Sequence, residues 1–469
     1  MTLKKAAILL FFSSLAVLVL TYCVREFKPK DHSAYFGGEV SNPSSRFVLF
    51  FKGNDLIDTL ELDSDNRFFI KFDSLSPGLY TFRHEPEYQY VYFDKNDSLM
   101  VAINSRDFDE SIVFSGRGDL KNNFLMELYL KNDLDRGNMF AVFDYDLSKF
   151  NATIDQTYKK HLQFYADKKA EIKWSEDFDV FAKAAVDFPY YSKKEIYPII
   201  HRLRTGEDIV DRLPKNYYSY RKIIDFNNPR LSNYSPFVKY LSHMLNNVAA
   251  INYHNHLSGT DLALRTNTAK MNIADTLIRD EKIKNTILNN VAFTYLLEDQ
   301  NIVNNQKFLE TYHKYSTDKS QENEITKIGN AIRHMKVGNT LPEVTFFDPE
   351  GNKVTSNSLL KKASVIFFWT DRSPSHFQEA HKKVMAFKAK YPNYNFIAVN
   401  VDNNHEDWKK ALPTVIHSDI IEVRAANFED LKAKWAITKI HRTIITDNDC
   451  RIKNAFASLF DVDFESKLK

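Results

Sequence analysis

Three textures of apolar spacing follow one another along the chain. From Tyr35 to about Gly118 the apolar residues come in short runs broken by turn residues. "FVLFF" (Phe47 to Phe51) precedes "RFFIKF", where Phe68, Ile70 and Phe72 recur at every second position, the period of a half-buried strand. "SPG" (Ser76 to Gly78) turns the chain into "LYTFRH", and "KND" (Lys95 to Asp97) separates "YVYF" from "SLMVAI". Short strands recurring roughly every ten residues predict a small antiparallel β domain, a sandwich.

From Asp119 to about Met335 the spacing becomes helical. Ile283, Ile287, Val291 and Tyr295 recur every fourth residue, and Leu288 and Ala292 widen the stripe. No repeat period emerges, which argues against a solenoid. From Gly338 the pattern changes again. "LPEVTFFDPEGNKV" reads as a hairpin, "SVIFFW" as a fully apolar strand and "SHFQEAHKKVMAFKAKY" as an amphipathic helix. "NFIAVNVD" is a second apolar strand, "NHEDWKKAL" and "NFEDLKAKWAI" are helical, and "TIITD" with "RIKNAFA" closes the chain as a hairpin. Strand, helix, strand, helix and hairpin predict a compact α/β domain.

Ahead of these textures, Ala6 to Tyr22 carries no charge and follows two lysines. As a helix it is about 25 Å long, slightly short for a bilayer core of roughly 30 Å. It reads as an export signal or short signal-anchor. "LTYC" resembles a lipoprotein signal that would make Cys23 the lipidated residue, although Tyr22 is larger than the residue usual there. Uncleaved anchor and lipoprotein both stay open. The expected organisation is an anchor at 1–31, the antiparallel β domain at 32–118, a helical domain at 119–335 and the α/β domain at 336–469. The fold class is thus multidomain α+β.

Composition changes this picture little. Lys+Arg 63 against Asp+Glu 61 leaves a net charge of +2, which with no basic stripe gives no reason to expect nucleic acid as a partner. Only 12 Gly argues against a glycine-rich cofactor loop, and no cofactor is expected. The two cysteines are Cys23 and Cys450; the first ends the apolar segment, so an internal disulfide is not expected. No metal is expected either. Tyr253 to His256, "YHNH", offers His254 and His256 two apart, but in a helical context they would not share a face. Asp402, Glu406 and Asp407 read as a solvated acidic loop. Cys450 in "DNDCRI" stands where a turn glycine is usual, as a lone thiol.

One stretch could carry chemistry. "FFWTDRSPSHF" (Phe367 to Phe377) takes a strand into a helix through a turn, a place where folds put nucleophiles and anion sites. Here the last 130 or so residues resemble a thioredoxin-fold domain of the TlpA-like kind found in bacterial envelopes. "GNTLPEVTFFDPEGNKV" is similar to the first hairpin of that family, "VIFFWTDRSPSHFQEA" to its redox strand and helix, "NFIAVNVDNNHEDWKK" to its second strand, and "WAITKIHRTIITDNDCRI" to its closing hairpin. A β domain ending in "FSGRGDLKNNFL" before a helical insert resembles the rest of an architecture common in Bacteroidota.

The resemblance implies a CxxC motif and a cis-proline opposite it. In this chain Ser373 and His376 hold the cysteine positions with Pro374 and Ser375 between them, and His441 holds the proline position. The peptide before His441 is expected trans, because cis without proline costs about 2.5–4 kcal/mol. Neither serine nor imidazole can form or resolve a disulfide. The turn also has a purely structural account: Ser373 as N-cap, Pro374 at the first helical position, or Ser375 and Gln378 as a capping box. No catalytic residue is therefore assigned. The expectation is a membrane-tethered, periplasm-facing protein with a redox-inactive domain that binds an envelope protein or small ligand. Trp369, Arg372, His376, His441 and Arg442 are the candidate groove. The alternative is a thiol-disulfide oxidoreductase or redoxin-type enzyme, which would need Cys450 as its redox centre.

Overall fold

A computed structural model of the chain describes residues 33–469, apart from 85–86, 138, 253–260, 299–301, 371–373, 403–404, 413–419, 438–439 and 462–463. The apolar N-terminal segment with Cys23, the "YHNH" histidines, Arg372 and Ser373 lie outside the described residues. By compactness the chain divides into two units, one of residues up to Asn138 with Lys159–Val186, the other of Met139–Tyr158 with Asp187–Lys469.

The first unit is built on eight strands: β1 (Ala34–Ser41), β2 (Phe47–Lys52), β3 (Asp55–Glu61), β4 (Arg67–Phe72), β5 (Gly78–His84), β6 (Glu87–Phe93), β7 (Ser98–Asn104) and β8 (Val113–Arg117). They form two four-stranded sheets, ordered β4-β1-β7-β8 and β3-β2-β5-β6. The period-two pattern sorts the side chains as expected. Phe68 is buried while its neighbour Phe69 is 63% exposed. Rings of Phe50, Phe68, Phe82 and Phe93 surround Phe36 with centroids 5.2–5.9 Å away. The sandwich is borne out with one refinement. β1 pairs in parallel with β7: β2, β3, β5 and β6 lie in the other sheet, and β4 takes the opposite edge of β1. Gly38 permits that pairing: a Cβ there would lie 2.2 Å from the Val101 carbonyl oxygen. Helix α1 (Asp119–Gly137) adds Met126 to the core and anchors itself through Asn122, whose amide brackets the Tyr92 backbone at 2.7 and 2.9 Å.

Helices α2 (Leu147–Ile172) and α3 (Glu176–Thr205) contribute to both units. The second unit continues with α4 (Ser235–Asn252), α5 (Leu262–Leu277), α6 (Glu281–Glu298), α7 (Ile302–Tyr315) and α8 (Lys319–His334). The stripe of α6 is buried as its spacing predicts: Ile283, Ile287, Leu288, Ala292 and Tyr295 are all essentially inaccessible. Tyr295 packs on Phe308 of α7 at 4.2 Å. A polar inclusion that no period announces lies between α3 and α4. Glu195, fully buried, accepts hydrogen bonds from Tyr220, Arg221 and Asn247. A buried carboxylate survives only when so paired.

The C-terminal part is a seven-stranded sheet, ordered β10-β9-β13-β12-β11-β14-β15. Its strands are β9 (Thr345–Phe347), β10 (Lys353–Thr355), β11 (Ser364–Trp369), β12 (Asn395–Asn400), β13 (Ile421–Ala425), β14 (Arg442–Thr446) and β15 (Ile452–Ser458). β11, β12 and β13 are parallel, and β14 runs antiparallel to β11. Helix α9 (Pro374–Lys390), α10 (His405–Ala411), α11 (Phe428–Trp435) and the short α12 (Phe464–Leu468) complete the domain. Alternate residues of β11 feed two cores. Val365, Phe367 and Trp369 join Phe377, Ala380 and Val384 of α9, while Ile366 and Phe368 join Leu431 and Trp435 of α11. Strand β13 is absent from the period-based reading. Its sequence "IEVRA" carries Glu422 and Arg424, and both are buried.

Candidate functional site

β11 is fully buried, so its chain direction fixes where the strand delivers the next segment. It ends at Trp369, and α9 opens at Pro374, whose fixed φ and missing N–H suit a first helical position. Phe377, Ala380 and Val384 hold α9 on the sheet. That face also carries His376 and His381 into the protein, with 8% and 2% exposure.

His376 meets His441, the residue immediately before β14. Their rings stand edge to face, centroids 4.4 Å apart. Phe460, 40% exposed beyond the end of β15, closes over both at 5.7 and 6.1 Å, and the Lys383 ammonium lies 5.2 Å from its ring centre. His376 Nδ1 is buried and has no hydrogen-bond partner among the described residues. Burial, then the neighbouring His441 and His381, pushes its pKa down to about 4. At neutral pH this imidazole is uncharged. Trp369 is inaccessible, and its indole Nε1 likewise finds no partner.

Not every candidate gathers here. Arg442 shares the other face of β14 with Ile444, donates to the Ala455 carbonyl at 3.2 Å and stacks over Phe456 at 4.2 Å. Burial brings its pKa down to about 10. It is separated from His376 by the sheet. Pro374 and Ser375 open α9.

Beneath α9 lies a polar layer that sequence reasoning missed. His381 Nδ1 donates to the Phe377 carbonyl at 2.6 Å, and its Nε2 stands 3.1 Å from Glu422 Oε1. Since Nδ1 faces a carbonyl, the second contact requires one more proton, on the ring or on the carboxyl. Asp402 is not the solvated residue expected. It is buried at the end of β12, accepting from Thr370 Oγ1 at 2.5 Å and Asn400 Nδ2 at 2.8 Å, while Arg424 donates to its carbonyl at 3.1 Å. Glu406 is exposed. The available signal was the pairing of apolar Ile421 and Val423 with charges at alternate positions, which a solvated edge would also produce.

Cys450 occupies the β14–β15 turn with φ at +60°, the left-handed region that usually calls for glycine. Its thiol donates to the Leu360 carbonyl at 3.1 Å, and the side chain packs with the core of the α11 face. His441 precedes β14 and Cys450 follows it, so a strand of about 16 Å separates them. They also belong to opposite faces of the sheet. No cluster of three or more metal-binding side chains occurs among the described residues.

A family profile described as thioredoxin-like matches residues 361–452, which span the β11–α9 junction, His441 and Cys450. The C-terminal domain is thioredoxin-like. Solved structures similar to this chain include a thiol-disulfide oxidoreductase from Bacteroides vulgatus, titled putative, at 24% identity. It covers 29% of this chain and 95% of its own, with a TM-score of 0.26. A domain of a possible thiol-disulfide isomerase from Cytophaga hutchinsonii has 20% identity, 27% and 88% coverage, and a TM-score of 0.25. A thioredoxin-like protein from Bacteroides caccae reaches 54% of this chain and 86% of its own at 13% identity, with a TM-score of 0.36. No curated protein matches. Within the thioredoxin-like domain, the positions that the resemblance gives to the second cysteine and the proline are held by His376 and His441, and these two side chains are in contact.

Proposed function

We propose that the thioredoxin-like domain binds a partner or ligand and exchanges no electrons, and that the N-terminal apolar segment holds the chain at the cell envelope facing the periplasm. The observation that carries this reading is the distance of Cys450, the one cysteine among the described residues, from the redox position. Thiol-disulfide exchange needs an attacking thiolate and a second sulfur to resolve the mixed disulfide. Cys450 lies across β14 and on the other face of the sheet from the α9 terminus, with its Sγ engaged by a backbone carbonyl. What stands at the redox position is a neutral, buried imidazole packed against a second one. His376, His441 and Phe460 form the surface on which binding is expected.

The competing enzymatic reading must route all chemistry through Cys450. Dithiol-driven reduction of insulin by the full chain tests both. The binding reading expects background rates for wild type and for Cys450→Ala alike. Turnover that survives Cys450→Ala ends it, and turnover lost only in Cys450→Ala restores the oxidoreductase.

A further inference from the structure

We propose that the outward face of the sheet β4-β1-β7-β8 pairs with the same face of a second copy of this chain. This goes beyond the binding reading above, which concerns the C-terminal domain. The strand register sets three rows of outward side chains across the sheet. Lys71, Tyr35, Ser98 and Arg117 form the first row. Phe69, Gly37, Met100 and Ser115 form the second, and Arg67, Glu39, Ala102 and Val113 the third. The solvated face of an antiparallel sheet ordinarily turns polar residues outward. Here Phe69, Met100 and Val113 are 63%, 42% and 57% exposed. They line a groove of about 630 Å³ together with Ala102, whose short side chain leaves the third row low. A cluster of exposed apolar groups around a groove marks a surface that meets a partner.

Charge selects the occupant. Glu39, Glu61 and Asp63 against Arg67 leave the groove with a net charge of −2. What enters it has to bring apolar side chains and a cation. The first row of the same face supplies both: Tyr35 packs on Phe69 at 5.9 Å, and exposed Lys71 is paired with Tyr35 across the strands. A two-fold axis laid along the second row places the first row of each copy over the third row of the other. Phe69 then meets its own counterpart, Tyr35 lies over the groove at Glu39, and Lys71 approaches Glu61 and Asp63. Lys71 also pairs with Asp73 at 3.1 Å, but that contact is solvent-exposed and weak enough to exchange. A patch that complements itself in this way closes at two copies. From strand and residue spacing the face is about 20 Å square, or about 400 Å² per copy. That is about half of what each partner gives a standard interface, so the dimer is weak and reversible.

The test is sedimentation equilibrium of the full chain in density-matched detergent micelles. A reversible monomer–dimer equilibrium is expected. Phe69→Asp, at an exposed position, should raise the dissociation constant at least about tenfold. Met100→Asp repeats the measurement if circular dichroism shows that Phe69→Asp misfolds. Lys71→Glu and Glu61→Lys should each weaken the dimer, because each sets like charges opposite one another twice. An equimolar mixture of these two variants should associate more tightly than either alone, since it holds one native pair and one reversed pair. A chain that stays monomeric at about 1 mM overturns the proposal. So does a dimer that both aspartate substitutions leave intact, which the N-terminal segment or another surface would be holding. A mixture no tighter than its components overturns it as well.

Discussion

The two faces of the C-terminal sheet are closed by different means. Under α11, Ile366, Phe368, Val423, Ile444 and Trp435 make an apolar core, and the Trp435 indole donates to the Pro342 carbonyl at 2.7 Å. Under α9, Phe367, Trp369 and Phe377 share their face with His381, Glu422 and Arg424 of the polar layer, and the Trp369 indole and His376 Nδ1 find no partner among the described residues. The first face is packed for stability. The second keeps polar groups where apolar ones would cost less, and it is the face on which this fold presents the end of β11 and the start of α9. The α11 face also buries a guanidinium, Arg442, held by the Ala455 carbonyl and the Phe456 ring, but the α9 face gathers a whole layer of polar groups beside the end of β11, as a binding site requires.

The largest effect expected from breaking this comparison lies on the apolar face. Trp435→Ala should cost about 3–5 kcal/mol in chemical denaturation, because a fully buried ring leaves a cavity. The polar face should answer differently. His381→Leu alone should cost about 3 kcal/mol by leaving Glu422 buried opposite an alkyl group. Adding Glu422→Leu should recover most of that loss. A double variant whose cost is the sum of the singles would mean that the pair is not coupled.

A third test uses pH. The His376 pKa falls from 6.5 in the unfolded chain to about 4 in the folded one. Between those values the unfolded chain takes up a proton that the folded state refuses, so stability falls as pH drops from about 6.5 towards 4. The loss from this group is about 2–3 kcal/mol. His376→Phe should remove that part of the slope, read as the difference between two denaturation series. An unchanged slope would show that His376 is solvated. The smallest effect belongs to Cys450→Gly. Relief of the left-handed backbone and greater freedom of the unfolded chain oppose each other, so stability should stay within about 1 kcal/mol of wild type. A large loss would give the thiol a structural part that the comparison does not allow.

Much of this was legible beforehand. Alternation at Phe68, Ile70 and Phe72 and the stripe from Ile283 to Tyr295 reflect periods of two and near four, which burial on one face imposes directly. The apolar strands β11 and β12 and the hairpin at Gly351 were equally plain. Strand β13 was hidden because Glu422 and Arg424 give it the polarity of a surface segment, and only the tertiary fold supplies His381 and the Asp402 carbonyl as partners. Asp402 was misread for the same reason: its partners Thr370 and Arg424 come from neighbouring strands. The site showed the same division. Missing cysteines at Ser373 and His376 could be read from the chain. The contact between His376 and His441, and the closing of Phe460 over them, depend on strand order and could not. Arg442, grouped with them by adjacency, was sent to the other face by the alternation of β14.

The most direct measurement restores the missing sulfur. Insulin reduction by the full chain is compared with that by Ser373→Cys/His376→Cys, both in a Cys450→Ala background. Wild-type residues at these positions should give the uncatalysed rate, and the paired cysteines at the α9 terminus should raise it clearly above that rate. Equal turnover by both proteins, above background, would contradict the claim that this domain binds without exchanging electrons.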